Sequence, residues 1–424
     1  MLTTIVLSIF IIGYLAIAFE HPLNLNKAAT ALITGVLCWT VYSLHANSVD
    51  TVSEELLSHM GEIASILFFL LGAMTLVELI DSHNGFDIIT EKINTTSKQK
   101  LLLLISVITF FLSALLDNLT TAIVMTSLCA KLLPEKEDRH CFAGMIVIAA
   151  NAGGAWSPLG DVTTTMLWIG GQITALNIIK ELFFPSLFVC LIPALILAIK
   201  FKGEQIERVQ LPMRTDKEKS EGKTVLFAGI GFLVFIPLFK TLTHLPPFMG
   251  MLLALGLMWV ITIIIHKGKE FEQAQKYTVT NALQKVDTPS ILFFLGILLS
   301  VAALESFGIL KNFADLITET LKNDFLIASA LGLLSALVDN VPLVAASQGM
   351  FSMTTYPTDH HFWEFLALTT GTGGSAIIIG SAAGVAVMGI ERIDFMWYLK
   401  KITWLALLGF IAGISVFLLQ KAIG

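Results

Sequence analysis

The chain has 424 residues, of which 55% fall in the AVILMFWYC class and only 14% are charged, with a formal charge of −6. Globular chains carry roughly 25% charged residues, so soluble enzymes, secreted disulfide scaffolds and disordered chains are excluded in favour of a polytopic membrane protein. The acidic balance and the lack of a basic arm argue against a nucleic-acid partner; the expected surroundings are the lipid bilayer, and no soluble partner is evident.

A spanning helix needs about 20 apolar residues. The first run, 2–19, is apolar from its start, without a basic n-region or a small-residue cleavage site, and reads as a span rather than a signal peptide. Spans follow at 28–44 and 63–80. A long stretch at 101–130 is interrupted by Asp117-Asn118, a glycine-broken span occupies 141–175, and a further span covers 182–199. Beyond a basic linker the order returns: 224–239, 248–265, 288–304, a stretch at 325–355 interrupted by Asp339-Asn340, a broken span at 365–390, and 402–419. Cys38, Cys129, Cys141 and Cys190 lie in these apolar stretches without CxxC spacing and read as core or lipid-facing thiols.

Charge orients the spans. The segment 46–62 holds Asp50, Glu54, Glu55 and Glu62 with no Lys or Arg, so it reads as an outer connection. Basic residues concentrate at 81–100, 131–140, 200–223, 266–285 and 391–401, which read as cytoplasmic. All of these fall inside only if 101–130 and 325–355 each enter and leave on one side. Ten crossings, two re-entrant hairpins and external termini result.

The second half repeats the first. LSALLDNL at 112–119 returns as LSALVDNV at 334–341, Gly153-Gly154 as Gly373-Gly374, and Gly160 as Gly380. The run ending at Gly72 returns as the run ending at Gly296. The expected fold is an all-α polytopic membrane protein of two repeats, each five crossings plus a re-entrant helical hairpin. Five is odd, so the second copy enters the bilayer inverted, and its broken helices meet those of the first near the midplane. The expected domains are a first repeat at 1–201 (scaffold 1–97, transport 98–180, arm helix 181–201), a cytoplasmic linker at 202–223, and a second repeat at 224–424 (scaffold 224–323, transport 324–395, arm helix 396–424).

Charge inside a bilayer is costly and marks function by default. Asp117, Asp161 and Asp339 are the deep acids, and Ser381 stands where the first copy has Asp161. Around them lie Asn118, Thr120, Asn151, Ser157 and Thr164 in the first copy, and Asn340, Thr370, Thr372, Ser375 and Ser381 in the second. Glycine-released backbone adds carbonyls, tolerated at depth where they line a cavity. Carboxylate, amide, hydroxyl and carbonyl oxygens suit a hard cation. With no buried Lys or Arg among these stretches, a cation is favoured over an anion. An acid that holds either a proton or a metal ion couples two fluxes. Asp117 and Asp339 are expected to face each other, with Na+ held at Asp117, Asp161 and Asp339. No cofactor and no enzymatic step are expected. Leu159-Gly160-Asp161 matches part of the GxGD signature of intramembrane aspartyl proteases, but Pro158 replaces the first glycine and no paired YD motif exists. His360-His361 beside Asp359 lacks a third metal ligand, and Trp156 reads as packing.

The run NAGGAWSPLGDVTTTMLWIGG at 151–171, with SALLDNLTTAIVM at 113–125, resembles the NhaD-type sodium/proton antiporters over essentially the whole chain. They belong to the ion transporter superfamily, with arsenite pumps and sodium–dicarboxylate carriers as relatives. The resemblance implies exchange of Na+ or Li+ for H+ across a bacterial inner membrane in sodium and pH homeostasis. It also implies a homodimer with an elevator-type moving domain. The dicarboxylate carriers place Ser-Asn-Thr triplets at the hairpin tips; here the tips read Asp117-Asn118-Leu119-Thr120 and Asp339-Asn340-Val341-Pro342, which speaks against dicarboxylates. The arsenite pumps share the Asp-Asn tips, so efflux of a small oxyanion is the nearest alternative.

Overall fold

The computed structural model describes residues 2–18, 25–44, 48–87, 95–206, 215–267, 275–337 and 339–423. Among them are nineteen helices and no strand; Ser97 and Gln205 form a lone antiparallel bridge. In chain order the helices are α1 (Leu2–Ala18), α2 (Lys27–Ser43), α3 (Val49–Ser82), α4 (Lys98–Leu116), α5 (Asn118–Leu132), α6 (Lys136–Ala155), α7 (Val162–Ile169), α8 (Ala175–Lys200), α9 (Asp216–Thr243) and α10 (Pro247–Ile265). There follow α11 (Val279–Lys285), α12 (Thr288–Ser306), α13 (Ile309–Leu321), α14 (Asp324–Leu334), α15 (Asn340–Met350), α16 (His361–Gly373), α17 (Ala382–Glu391), α18 (Phe395–Lys401) and α19 (Thr403–Ile423). Seven of them, α3, α4, α8, α9, α10, α12 and α19, are long and apolar enough to cross a membrane, so the protein is a helical multi-pass membrane protein. The four cysteines are free and buried.

Three boundaries differ from the hydropathy reading. The acidic segment read as an outer connection is helical from Val49, because Ser48 caps it and its glutamates are good helix formers. At 34 residues α3 is about 50 Å long against a hydrocarbon core of about 30 Å, so its acidic end extends past the lipid. Likewise α9 starts at Asp216, inside the segment read as linker, where Thr215 and Glu218 close a capping box; residues 207–214 of that linker lie outside the described residues. Between α12 and α14 stands α13, which buries Leu310 and Ala314 and exposes Lys311, Asp315 and Glu319. At 13 residues it is too short and too charged to register as a span.

Packing between the halves is reciprocal. α1 lies on α2, and α9 on α10; α2 meets α12, and α10 meets α3. α4 and α5 pack on α6 as α14 and α15 pack on α16, while α5 reaches across to α17 and α15 to α7. The repeated glycines make the same approach twice. A Cβ on Gly153 would lie 2.2 Å from the Phe110 carbonyl oxygen, and one on Gly373 2.0 Å from that of Gly332, so no larger residue fits at either crossing. Nearby, Ser113 Oγ donates to Ala150 O at 2.6 Å and Ser335 Oγ to Thr370 O at 3.0 Å.

Polar clamps close the ends of the two broken helix pairs. Arg139 Nε donates to Glu391 Oε2 at 2.9 Å, fastening the start of α6 to the end of α17. The Asp359 carboxylate accepts the Thr174 amide at 2.6 Å and its hydroxyl at 2.8 Å, fastening the approach to α16 to the segment after α7.

Candidate ion-binding site

Two helix pairs part where glycine pairs release them. α6 ends at Ala155 and α7 starts at Val162; α16 ends at Gly373 and α17 starts at Ala382. Asp161 is the N-cap of α7, accepting from Thr163 N, and Ser381 is the N-cap of α17, accepting from Gly384 N. The Asp-Asn pairs do the same for the other two helices. Asp117 caps α5, accepting from both the amide and the hydroxyl of Thr120 at 2.8 Å. Asp339 caps α15 through Val341 N at 3.2 Å. Asp117 has φ 86° and ψ 157°, a region that is essentially glycine-only and costs about 1–3 kcal/mol. Such strain persists where surrounding structure holds it, here where α4 ends and α5 begins without an intervening turn.

One acid receives the partners of both halves. Asp161 is buried, at 1% exposure. Its Oδ1 accepts the Thr163 amide at 2.9 Å and the Thr163 hydroxyl at 2.8 Å. Its Oδ2 accepts Asn118 Nδ2 at 2.7 Å, and Asn340 Nδ2 lies 3.3–3.4 Å from both carboxylate oxygens. Asn118 Nδ2 also donates to Asn151 Oδ1 at 3.0 Å. Asn151 Nδ2 in turn donates to Ser375 Oγ at 2.9 Å and Ser381 Oγ at 3.0 Å. Asn118, Asn151, Asp161, Asn340, Ser375 and Ser381 thus form one hydrogen-bonded unit drawn from α5, α6, α15 and the two breaks.

The other expected residues lie around this unit. Ser157 Oγ donates to Ala114 O at 2.5 Å, tying the first break to the end of α4. Thr164 Oγ1 donates to the Asp161 carbonyl at 2.9 Å. Thr370 and Thr372 turn their hydroxyls onto Leu366 O and Leu368 O of their own helix, both at 2.6 Å. Asp117 pairs with Thr120, and both Asp117 and Asp339 are half-buried. Asp117, Asp161 and Asp339 are not gathered into one cluster: among the described residues no three His, Cys, Asp or Glu side chains are placed to hold a metal ion together. Each acid is drawn to the helix start beside it. Trp156 packs against Phe110 with ring centroids 5.8 Å apart. Asp359 and His360 serve as clamp and N-cap. Two residues that matter here are not among those the sequence singles out. Thr163 is one of three adjacent threonines, and its place two residues after a capping acid is the signal that distinguishes it. Tyr398 carries no motif at all.

Four helices, α5, α7, α15 and α17, therefore begin at site residues. Helix N-termini carry partial positive charge and attract anions, but three of these four already hold a carboxylate of the chain itself. Broken helices meeting at a buried acid within a multi-pass helical fold define a membrane transporter. The family model described as citrate transporter (CitMHS) matches residues 14–373. Sodium/proton antiporter 1 of Arabidopsis thaliana is 47% identical over 97% of this chain and 71% of its own length. Sodium/proton antiporter 2 of the same plant is 45% identical over 97% of this chain and 98% of its own length. The Na(+)/H(+) antiporter NhaD of Alkalimonas amylolytica is 30% identical over 98% of this chain and 90% of its own. The chain belongs to the CitMHS transporter family and, within it, to the NhaD-type Na+/H+ antiporters.

Proposed function

We propose that the protein is a secondary antiporter that exports Na+ or Li+ in exchange for entering H+, with Asp161 as the central ion-binding group. The observation that carries this reading is the capping of α5, α7 and α15 by Asp117, Asp161 and Asp339. A carrier of citrate or another anion would leave those positive helix ends for its cargo. Here they hold carboxylates, and the species that completes a carboxylate is a cation. The names of the Arabidopsis and Alkalimonas relatives, all Na+/H+ antiporters, support the same conclusion.

The hydrogen bonds indicate how one acid serves two cargoes. Among the described residues, the groups hydrogen-bonded to the Asp161 carboxylate all donate to it: Thr163, Asn118 and Asn340. A proton on Asp161 turns one carboxylate oxygen into a donor, which cannot share a line with an amide N–H. Rotating the Asn340 amide presents its oxygen instead, whereas rotating Asn118 would also turn its oxygen onto Asn151 Oδ1. Na+ makes the same demand, since it takes oxygen and not N–H. The one rotation accommodates either cargo, and one carboxylate cannot hold both, which couples the two fluxes. Asp117 and Asp339, half-buried on either side, are assigned to charge balance and ion access.

In this reading the two halves are inverted repeats. α4 to α7 and α14 to α17 form the moving transport domain, α8 and α18–α19 are the arms, and the remaining helices are the scaffold and the surface of a homodimer. A bacterial inner membrane suits the NhaD relative; the Arabidopsis relatives share more identity, and the mechanism requires only a membrane that holds a proton gradient. The test is the dissipation of a pH gradient in everted vesicles, from cells lacking other antiporters, on adding Na+, Li+ or K+. Dissipation by Na+ or Li+ is expected. A response to citrate or arsenite transport assays, with none to alkali cations, would overturn the reading.

A further inference from the structure

Unwinding 374–381 frees backbone carbonyls that a continuous helix would satisfy internally. One of them, Ser375 C=O, accepts the phenol of Tyr398 at 2.9 Å. Tyr398 lies in α18, outside both broken spans, and is 0% exposed. The side chain of the same Ser375 accepts Asn151 Nδ2 at 2.9 Å, Asn151 Oδ1 accepts Asn118 Nδ2 at 3.0 Å, and Asn118 Nδ2 reaches Asp161 at 2.7 Å. An unbroken line of polar contacts therefore runs from the base of the second arm to the central acid.

The first half has no equivalent of this line. The repeat offset puts Ala155 opposite Ser375 and Ile178 opposite Tyr398, and neither side chain can form such a bond. The second break also lacks an acid, since Ser381 stands where the first has Asp161. With no charge to organise it, that break is held from outside, by the Tyr398 hydroxyl at the Ser375 carbonyl and by the Asn151 amide at the Ser375 and Ser381 hydroxyls.

We propose that Tyr398 is a positioning residue for the transported cation. It fixes the Ser375 peptide and, through the Ser375 hydroxyl, sets the Asn151 amide, which in turn sets how the Asn118 amide meets Asp161. This rests on the antiport reading. The phenol touches no cargo; it acts through Ser375, so its removal changes affinity rather than turnover.

Tyr398→Phe keeps the ring and deletes only the donor. In everted vesicles the apparent KM for Na+ is expected to rise about three- to tenfold, the range one neutral hydrogen bond supplies, with Vmax within twofold and the melting temperature of the purified protein unchanged. Ser375→Ala is expected to raise KM in the same direction, and the double variant to be no worse than the more affected single one. The inference is overturned if Tyr398→Phe lowers stability at unchanged KM, if it lowers Vmax alone, or if the two substitutions add. Should Tyr398→Phe fail to fold, a wild-type KM in Ser375→Ala overturns it. If the wild-type protein dissipates no pH gradient with Na+ or Li+, the antiport reading falls. Tyr398 is then judged by the Na+-dependent thermal shift of purified protein, where identical curves for wild type and Tyr398→Phe overturn the inference.

Discussion

Asn118 places its amide nitrogen 2.7 Å from the Asp161 carboxylate, and from the far half of the chain Asn340 reaches the same group at 3.3 Å. Each asparagine follows an aspartate that caps its own helix. In both Asp-Asn pairs the neutral member meets the centre and the charged member secures the helix start.

The unequal halves give the first expectation. Asp161→Ala removes the acceptor on which three residues converge, whereas Ser381→Ala removes one N-cap and one of two hydroxyls bound to Asn151. Antiport should be lost in Asp161→Ala and persist with a modest KM increase in Ser381→Ala. Vesicle assays over a range of Na+ concentrations check this; equal, mild effects would remove Asp161 from the centre of the site.

Asp117 and Asp339 have two separable roles. Asparagine caps helices about as well as aspartate, so Asp117→Asn and Asp339→Asn should keep wild-type stability while losing exchange. Alanine at either position should lose exchange and also about 1 kcal/mol of stability. Paired transport and thermal-melting measurements separate charge from cap. Wild-type exchange in the asparagine variants would leave these acids with capping alone.

At the crossing glycines the expected outcome is steric. Gly153→Ala and Gly373→Ala would push a methyl to 2.2 and 2.0 Å from a backbone oxygen of the neighbouring helix, and overpacking of this kind costs about 1–3 kcal/mol. Gly231→Ala and Gly389→Ala, where a Cβ meets nothing within 4 Å, should leave folding intact. Detergent-solubilised yield and melting temperature should divide the four variants into these two pairs.

Topology is tested by labelling. Lys100 and Lys136 are exposed at the starts of α4 and α6, and Lys322 and Thr355 flank α14 and α15. Lys98, though nearer the helix end, is tied to Asp138 at 2.5 Å and is a poor probe site. In a background without native cysteines, cysteines at 322 and 355 should react with an impermeant thiol reagent on intact cells. Those at 100 and 136 should react only in inside-out vesicles. Opposite behaviour of 100 and 136 would show that the first Asp-Asn stretch crosses the bilayer, and the inverted pairing would fail.

Much of this arrangement is legible in the chain. Gly153-Gly154 and Gly373-Gly374 announce both breaks because little else puts glycine pairs and polar residues inside an apolar run. Asp117-Asn118 and Asp339-Asn340 announce the other two helix starts. What adjacency hides is direction. Nothing in the letters DN says that the strained φ of Asp117 turns the acid along its own helix and leaves the amide for Asp161. Apolar runs mark where lipid is met, so they pass over α13 and the helical start of α3, whose charges belong outside it. Tyr398 is one aromatic residue beyond a break, and only the folded chain brings it to the Ser375 carbonyl.

The reciprocal packing also bears on how the protein is made. When Asp161 leaves the ribosome, Asn118, Asn151 and Thr163 already exist, but Asn340 is 179 residues behind it. At 5–20 residues per second that interval is roughly 10–40 s. Through this time Asn151 has neither Ser375 nor Ser381 to receive its amide, and the acid meets the membrane with half its company. A lone Asp at mid-bilayer costs about 2.5–3.5 kcal/mol on insertion scales, so the early segment has reason to stay shallow or in the keeping of the insertion machinery. Asn340, Ser375 and Ser381 all come from the second half, so a chain halted at its midpoint lacks three of the six residues that make up the hydrogen-bonded unit.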